Sequence, residues 1–207
     1  PIKRNKNPLI SDLGIINKFC ILYSGNMGKS HDIDSMIKAA KKLENYNDIQ
    51  FIFIGEGEYY NIVLEEIKLN NFKNVKLFPL QQESKLPYTL ASANISLVSL
   101  DVGYEEIMIP SKSISYLAAG SPIVAICKTP STLSDVIINS KAGVVIEPKR
   151  PDLIVKAILN YYNNKSVLRK ASLNARKAAL SKYSLNANLK SLISFIGNTT
   201  PNTNKIL

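Results

Sequence analysis

Pro110-Ser111-Lys112-Ser113-Ile114-Ser115-Tyr116-Leu117-Ala118-Ala119-Gly120-Ser121-Pro122-Ile123-Val124-Ala125 reads as a helix that ends at a glycine and runs at once into an apolar strand. Pro110 suits the first helical position, because its missing N–H has no partner there in any helix. Gly120 suits the left-handed residue just past the last turn. A helix start presents unpaired amides and a partial positive charge, which together favour an anion. Ser111, Lys112 and Ser113 add further donors at that same end. A diphosphate fits this chemistry.

Working outward, the same alternation fills the chain. Strands are expected at Phe19–Ser24, Gln50–Ile54, Val75–Phe78, Ile95–Leu100, Pro122–Ile126 and Val144–Ile146. Between them lie helical patterns at Asp32–Leu43, Tyr59–Leu69, Lys85–Ala93 and Ser131–Asn139. In the first of these, Ile33, Met36, Ile37, Ala40 and Leu43 share one face. The chain then turns helical, over Pro151–Tyr162, Val167–Lys182 and Leu185–Ile196. Parallel strands need crossovers, and helical crossovers cover both faces of the sheet. The expected fold is therefore α/β, a Rossmann-like doubly wound parallel sheet with extra C-terminal helices.

Three regions follow from this: residues 1–18 as a linker with a short helix from Asn7-Pro8 to Gly14, residues 19–197 as the Rossmann-like domain, and residues 198–207 as a polar, disordered tail. Ligands of such sheets bind beyond the carboxyl ends of the strands. That places attention on the loops Gly25–Ser30, Gly55–Glu58, Leu80–Ser84 and Asp101–Lys112.

Bulk properties narrow the function. The 207 residues are 45% hydrophobic and 20% charged, enough for one large domain or two small ones. No apolar run reaches membrane-spanning length, and the opening residues do not read as a signal peptide. Pro1 to Pro8 reads instead as a cut inside a longer polypeptide. Cys20 and Cys127 lie in separate apolar runs without metal-type spacing, so buried thiols and a reducing cytoplasm are expected. The net charge of +10 would suit nucleic acid, an anionic lipid surface or an anionic small molecule. The lysines are scattered, which reads mainly as compositional bias. No nucleic-acid motif accompanies them.

Familiar catalytic motifs are absent or misspaced. Gly25-Asn26-Met27-Gly28-Lys29-Ser30 has two residues where a P-loop needs four between its first glycine and Gly-Lys-Ser. His31 is the only histidine, and with no Gly-x-Ser-x-Gly elbow a serine hydrolase is excluded. His31 begins a helix beside the glycine loop, where it can meet a phosphate or sugar hydroxyl or have no task. Glu105 and Glu106 precede the phosphate-type helix, and one of them could bind ligand hydroxyls. Gly55-Glu56-Gly57 allows close backbone approach, as a simple turn also would.

Four segments, in order, resemble the C-terminal, nucleotide-sugar-binding half of a GT-B glycosyltransferase of family 4 (glycosyltransferase group 1). They are Tyr23-Ser24-Gly25-Asn26-Met27-Gly28 with His31-Asp32, Phe53-Ile54-Gly55-Glu56-Gly57, Leu86-Pro87-Tyr88-Thr89-Leu90-Ala91-Ser92-Ala93-Asn94, and Pro110-Ser111-Lys112 through Gly120-Ser121-Pro122. The likeness spans residues 8 to 197 and is strongest for enzymes building lipid-linked surface polysaccharide. It implies a hexosyl- or N-acetylhexosaminyltransferase that uses a nucleotide sugar, UDP-linked by expectation, with retention and without a metal or other cofactor. It implies that Gly25, Asn26, Gly28, His31, Gly55, Gly57, Leu80, Ser111 and Ser113 bind the donor, with the base near Leu80. Lys29 or Lys112 would neutralise the leaving diphosphate, and Glu105 would supply a carboxylate.

The pattern departs from the family in two places. Relatives carry two glutamates eight positions apart around this helix, and the second of those positions is Ser115. A common arginine of the glycine loop is Asn26. The resemblance also implies a missing N-terminal, acceptor-binding domain as partner, inactivity of this half alone, and contact of the final helix with that domain. A cytoplasmic place at the inner membrane face, with peripheral membrane contact, belongs to the same expectation. The competing readings are a nonenzymatic nucleotide- or partner-binding module, half of a split transferase complex, and a sugar-nucleotide epimerase or phosphorylase on the same plan.

Overall fold

The computed structural model describes residues 2–100, 103 and 111–199. Six strands form one sheet: β1 (Phe19–Ser24), β2 (Ile49–Gly55), β3 (Val75–Pro79), β4 (Ile95–Ser99), β5 (Ile123–Ile126) and β6 (Gly143–Ile146). All neighbours are parallel, in the order β3-β2-β1-β4-β5-β6. This is the doubly wound arrangement the alternation predicts. Its order reverses between β1 and β4, where a crevice opens at the carboxyl ends.

Helices α1 (Leu9–Asp12), α2 (Ile33–Lys42), α3 (Tyr59–Asn70), α4 (Leu86–Ala91), α5 (Ser111–Ala119), α6 (Thr132–Ser140), α7 (Pro151–Asn163), α8 (Lys165–Lys182) and α9 (Leu185–Thr199), with 3-10 turns at Arg4–Lys6 and Glu83–Lys85, complete the described elements. Alternate residues of each strand feed separate cores. Ile21, Tyr23, Phe51 and Phe53 pack with α2 and α7 residues such as Met36 and Ile158. Cys20, Leu22, Ile52 and Ile54 face the other way, toward Leu13, Tyr116, Leu117, Ile137 and Ala175. Both faces of the strands are covered, which is why their sequences are apolar throughout rather than alternating.

The helix limits have local causes. Asp32 caps α2 by accepting from the Ser35 amide at 3.2 Å. Ser131 and Ser134 form a reciprocal cap on α6. α5 ends as expected at Gly120, whose φ is +75°. There the Ser121 amide reaches Tyr116 O and the Gly120 amide reaches Leu117 O, both at 3.0 Å. α3 and α6 close through Asn71 and Lys141, both left-handed, where glycine is the usual signal.

Several boundaries differ from the sequence reading. Glu83–Lys85 is a separate 3-10 turn, so α4 begins at Leu86 and stops at Ala91. Its end is set by Ser92, whose hydroxyl donates to Thr89 O, and by Asn94, whose Oδ1 accepts the Cys20 amide. α8 starts two residues earlier than expected, and α9 runs past Ile196 to Thr199. The segment expected as a linker is fixed to the domain. Leu9, Leu13 and Ile15 are buried, and Lys76 donates to Leu13 O and Gly14 O. Cys20 and Cys127 are both buried and not disulfide-bonded. Among the described residues no helix is long and apolar enough to cross a membrane.

Candidate functional site

The first and second glycine loops are stacked at the carboxyl ends of β1 and β2. Gly25 N donates to Ile54 O at 2.8 Å, Met27 N to Glu56 O at 2.7 Å, and Tyr59 N to Met27 O at 2.9 Å. A side chain at Gly55 would collide with the backbone carbonyl of Gly25. One at Gly57 would strike Asn26 Oδ1 and the Met27 backbone. Close loop-to-loop packing is therefore what these glycines permit. Gly28 lies against the Asn26 side chain within the same turn.

Gly25 itself has φ +126° and faces the start of α5. A Cβ there would come within 2.6 Å of Lys112 Cε. Lys112 reaches from the first turn of α5 across this gap. Its ammonium donates to Tyr23 Oη at 3.0 Å and to Asn26 O at 3.1 Å. It also lies 4.5 Å from the centre of the Tyr23 ring. Burial lowers its pKa to about 8, since a desolvated ammonium loses hydration free energy. Among the described residues no carboxylate forms an ion pair with it.

The split between β1 and β4 is bridged by side chains. The strands pair only at Ile21–Ile95 and Leu22–Ser96. Beyond that, Tyr116 Oη accepts the Ser24 amide at 2.8 Å. Across the opening, His31 Nδ1 lies 2.6 Å from Ser99 O. A carbonyl can only accept, so Nδ1 carries the proton and Nε2 keeps the lone pair. Burial, then the charge of Lys112, lowers the His31 pKa, while the Ser99 bond opposes the shift. The imidazole is thus neutral near pH 7. Asp32 joins a third loop: its Oδ2 accepts the Lys149 amide at 2.7 Å, while its own amide donates to Ser99 Oγ at 2.8 Å.

The structure brings together Gly25, Asn26, Gly28, His31, Gly55, Gly57 and Lys112 from the sequence reading. Ser111 and Ser113 share the opening turn of α5, the former exposed and the latter buried. Lys29 points elsewhere, 69% exposed and 3.2 Å from Glu58. Leu80 is exposed just beyond β3. Ser115 lines an apolar groove with Leu86 and Leu90 between α4 and α5. Pro110, Asp101, Glu105 and Glu106 lie outside the described residues. Tyr23 and Tyr116 escape a reading by spacing, because each looks like an ordinary apolar position; only their hydroxyls, placed by the fold, tie α5 to β1. Among the described residues no three His, Cys, Asp or Glu side chains gather as a metal site.

A neutral imidazole acceptor, a half-buried cation and a helix start therefore converge at the switch point. Such a set can hold an anion and a neighbouring hydroxyl. Residues 7–178 match the family described as glycosyl transferases group 1, and the chain belongs to it. It is 28% identical over 143 residues to WcaI of Escherichia coli (strain K12), named as a colanic acid biosynthesis glycosyl transferase. That alignment takes in 69% of this chain and 35% of WcaI. The chain thus spans little more than a third of the length of the curated relatives it matches.

Solved structures agree on the fold. Anabaena HepE, crystallised with UDP-glucose, superposes with a TM-score of 0.77 at 13% identity, over 92% of this chain and 51% of that one. The C-terminal domain of the group 1 glycosyl transferase LpcC from Francisella tularensis gives 0.71 at 15% identity, over 89% of this chain and all of that domain. The chain therefore has the Rossmann-like sheet of a GT-B glycosyltransferase C-terminal domain.

Proposed function

We propose that this chain is the donor-binding half of a retaining glycosyltransferase that takes a hexosyl or N-acetylhexosaminyl group from a UDP-sugar. The acceptor in this reading is a lipid-linked or surface-polysaccharide chain. The name of WcaI and the UDP-glucose held by HepE support these choices. The observation that carries the reading is the Lys112 ammonium, held over the Gly25–Asn26 loop at the opening of α5.

In this reading the diphosphate lies between that ammonium and the first amides of α5. Bond cleavage leaves negative charge on the diphosphate, and a preorganised cation with helix amides stabilises it as it grows. No metal or other cofactor is required for that task. Lys29, exposed and paired with Glu58, contributes at most to the approach of the anion. His31 Nε2 accepts from a donor hydroxyl, and the base stacks near Leu80. Glu105 is proposed as the carboxylate on the donor. The acceptor site is supplied by another domain, toward which α9 turns exposed Leu185, Leu189, Leu192 and Ile193. Alone, the chain binds nucleotide weakly and transfers nothing.

A second reading, a nonenzymatic binding module, is favoured by Ser115, which places no carboxylate in α5 near the site. A thermal-shift panel of UDP, GDP, ADP and their sugars separates the two, since a ligand of the native state raises its melting point. A shift with UDP and UDP-sugars supports the transferase half. No shift with any nucleotide overturns it in favour of the binding module.

A further inference from the structure

Beyond Asp152 the sequence has nine lysines and arginines and neither aspartate nor glutamate. The first 152 residues hold seventeen cations and all sixteen acids. The net charge of +10 is therefore not a diffuse lysine bias; nine of its ten units arise beyond Asp152. Scattered lysines conceal this, because the acids are what stop.

α8 concentrates the surplus, with Lys165, Arg169, Lys170, Arg176, Lys177 and Lys182. Its inward face is made of Ala171, Ala175, Ala178 and Ala179. At about 100° per residue, the opposite face carries Leu173 and Leu180, two turns apart. Arg169 flanks them on one side and Lys170 and Lys177 on the other, all three exposed, while Arg176 is turned back to α5. Leu173 is 63% exposed and Leu180 55%. A single exposed leucine is ordinary. Two aligned leucines between exposed cations, on a helix without acids, form the pattern of a helix lying in a membrane interface.

We propose that the solvent face of α8 docks on a bilayer surface rich in anionic lipid. The cations meet the headgroups while Leu173 and Leu180 enter the acyl boundary. A nucleic-acid backbone would satisfy the charges but leave both leucines in water. The donor site stays open in this pose. α8 meets the far end of α5, where Ser172 Oγ donates to Gly120 O and Arg176 to Ala118 O, both at 2.6 Å. The proposal therefore stands or falls separately from the nucleotide reading.

Flotation of the whole chain with phosphatidylcholine vesicles, with and without phosphatidylglycerol, tests it. The expected result is binding only to the anionic vesicles, reversed by high salt. Lys170→Glu with Lys177→Glu weakens that binding at least about tenfold, and Leu173→Ser with Leu180→Ser weakens it by about fivefold or more. Melting temperatures of both variants, all four positions being exposed, confirm that they fold. Absent binding, equal binding to both vesicle types, or binding that survives the charge reversals would overturn the proposal. So would loss in the charge variant with none in the leucine variant, which marks a plain polyanion site.

Discussion

Lys112 Nζ lies 3.0 Å from the hydroxyl of Tyr23 and 4.5 Å from the centre of its ring, joining the start of α5 to the carboxyl end of β1. The aromatic face and two oxygens replace part of the water that the ammonium loses, but no carboxylate among the described residues completes the exchange. Among the described residues the cation has no carboxylate partner, at the place where strand order reverses. That is a costly arrangement for stability and a favourable one for an anion.

Lys112→Met keeps the length of the side chain and removes the half-buried charge. The variant is expected to melt at the same temperature as the parent or higher, because the desolvation cost is gone. Its affinity for UDP should fall roughly tenfold to a hundredfold, the worth of a hydrogen bond to a charged group. Calorimetric melting and titration on the same sample check both. Unchanged affinity would place the anion elsewhere.

The pH dependence of binding has a definite sign. Lys112 is protonated below about pH 8 and neutral above it, and the protonated form binds the anion. A bound diphosphate raises that pKa. From neutral pH upward, UDP affinity therefore declines as pH rises through 8. Lys112→Arg, always charged, should abolish the decline. Isothermal titration from neutral to alkaline pH measures it, and a parallel decline in the arginine variant would show that another group is responsible.

The site geometry also fixes a tautomer. His31 should hold its proton on Nδ1, bonded to Ser99 O, and should titrate below its ordinary pKa of 6.5. Nitrogen chemical shifts of the single imidazole, followed with pH, read both quantities. A histidine charged at pH 7, or protonated on Nε2 instead, would contradict the geometry.

Legibility in the sequence followed physical range. The strands and their order of appearance were readable, because a buried strand is written as a contiguous apolar run such as Phe51–Ile54. The Gly120 closure was readable because few residues tolerate its backbone. The closures at Asn71 and Lys141 were hidden, since there a residue with a side chain takes the strained conformation. At the site, Lys29 and Lys112 were both visible from their motifs, but which of them lies over the Gly25–Asn26 loop was not. That placement is made by Glu58 and Tyr23, which come close only in three dimensions. The packing of residues 9–15 against the sheet was equally long-range: it depends on Lys76 and on the β-face of Leu22 and Ile54.

The glycine loops predict a stability effect. Gly55→Ala puts a methyl group into the Gly25 carbonyl, and backbone cannot yield as a side-chain tip can. A loss of about 2 kcal/mol or more is expected, lowering the melting point by roughly 5 °C. UDP affinity should fall with it, because the Gly25–Asn26 loop shifts under Lys112. A variant with parental melting point and affinity would mean that the two loops are not packed as described.

The most direct measurement is a crystal of this chain soaked with UDP. The account predicts phosphate oxygens within hydrogen-bond reach of Lys112 Nζ and of the first amides of α5, over the Gly25–Asn26 turn. A diphosphate bound away from the opening of α5, with Lys112 still turned to Tyr23 and Asn26 alone, would contradict it.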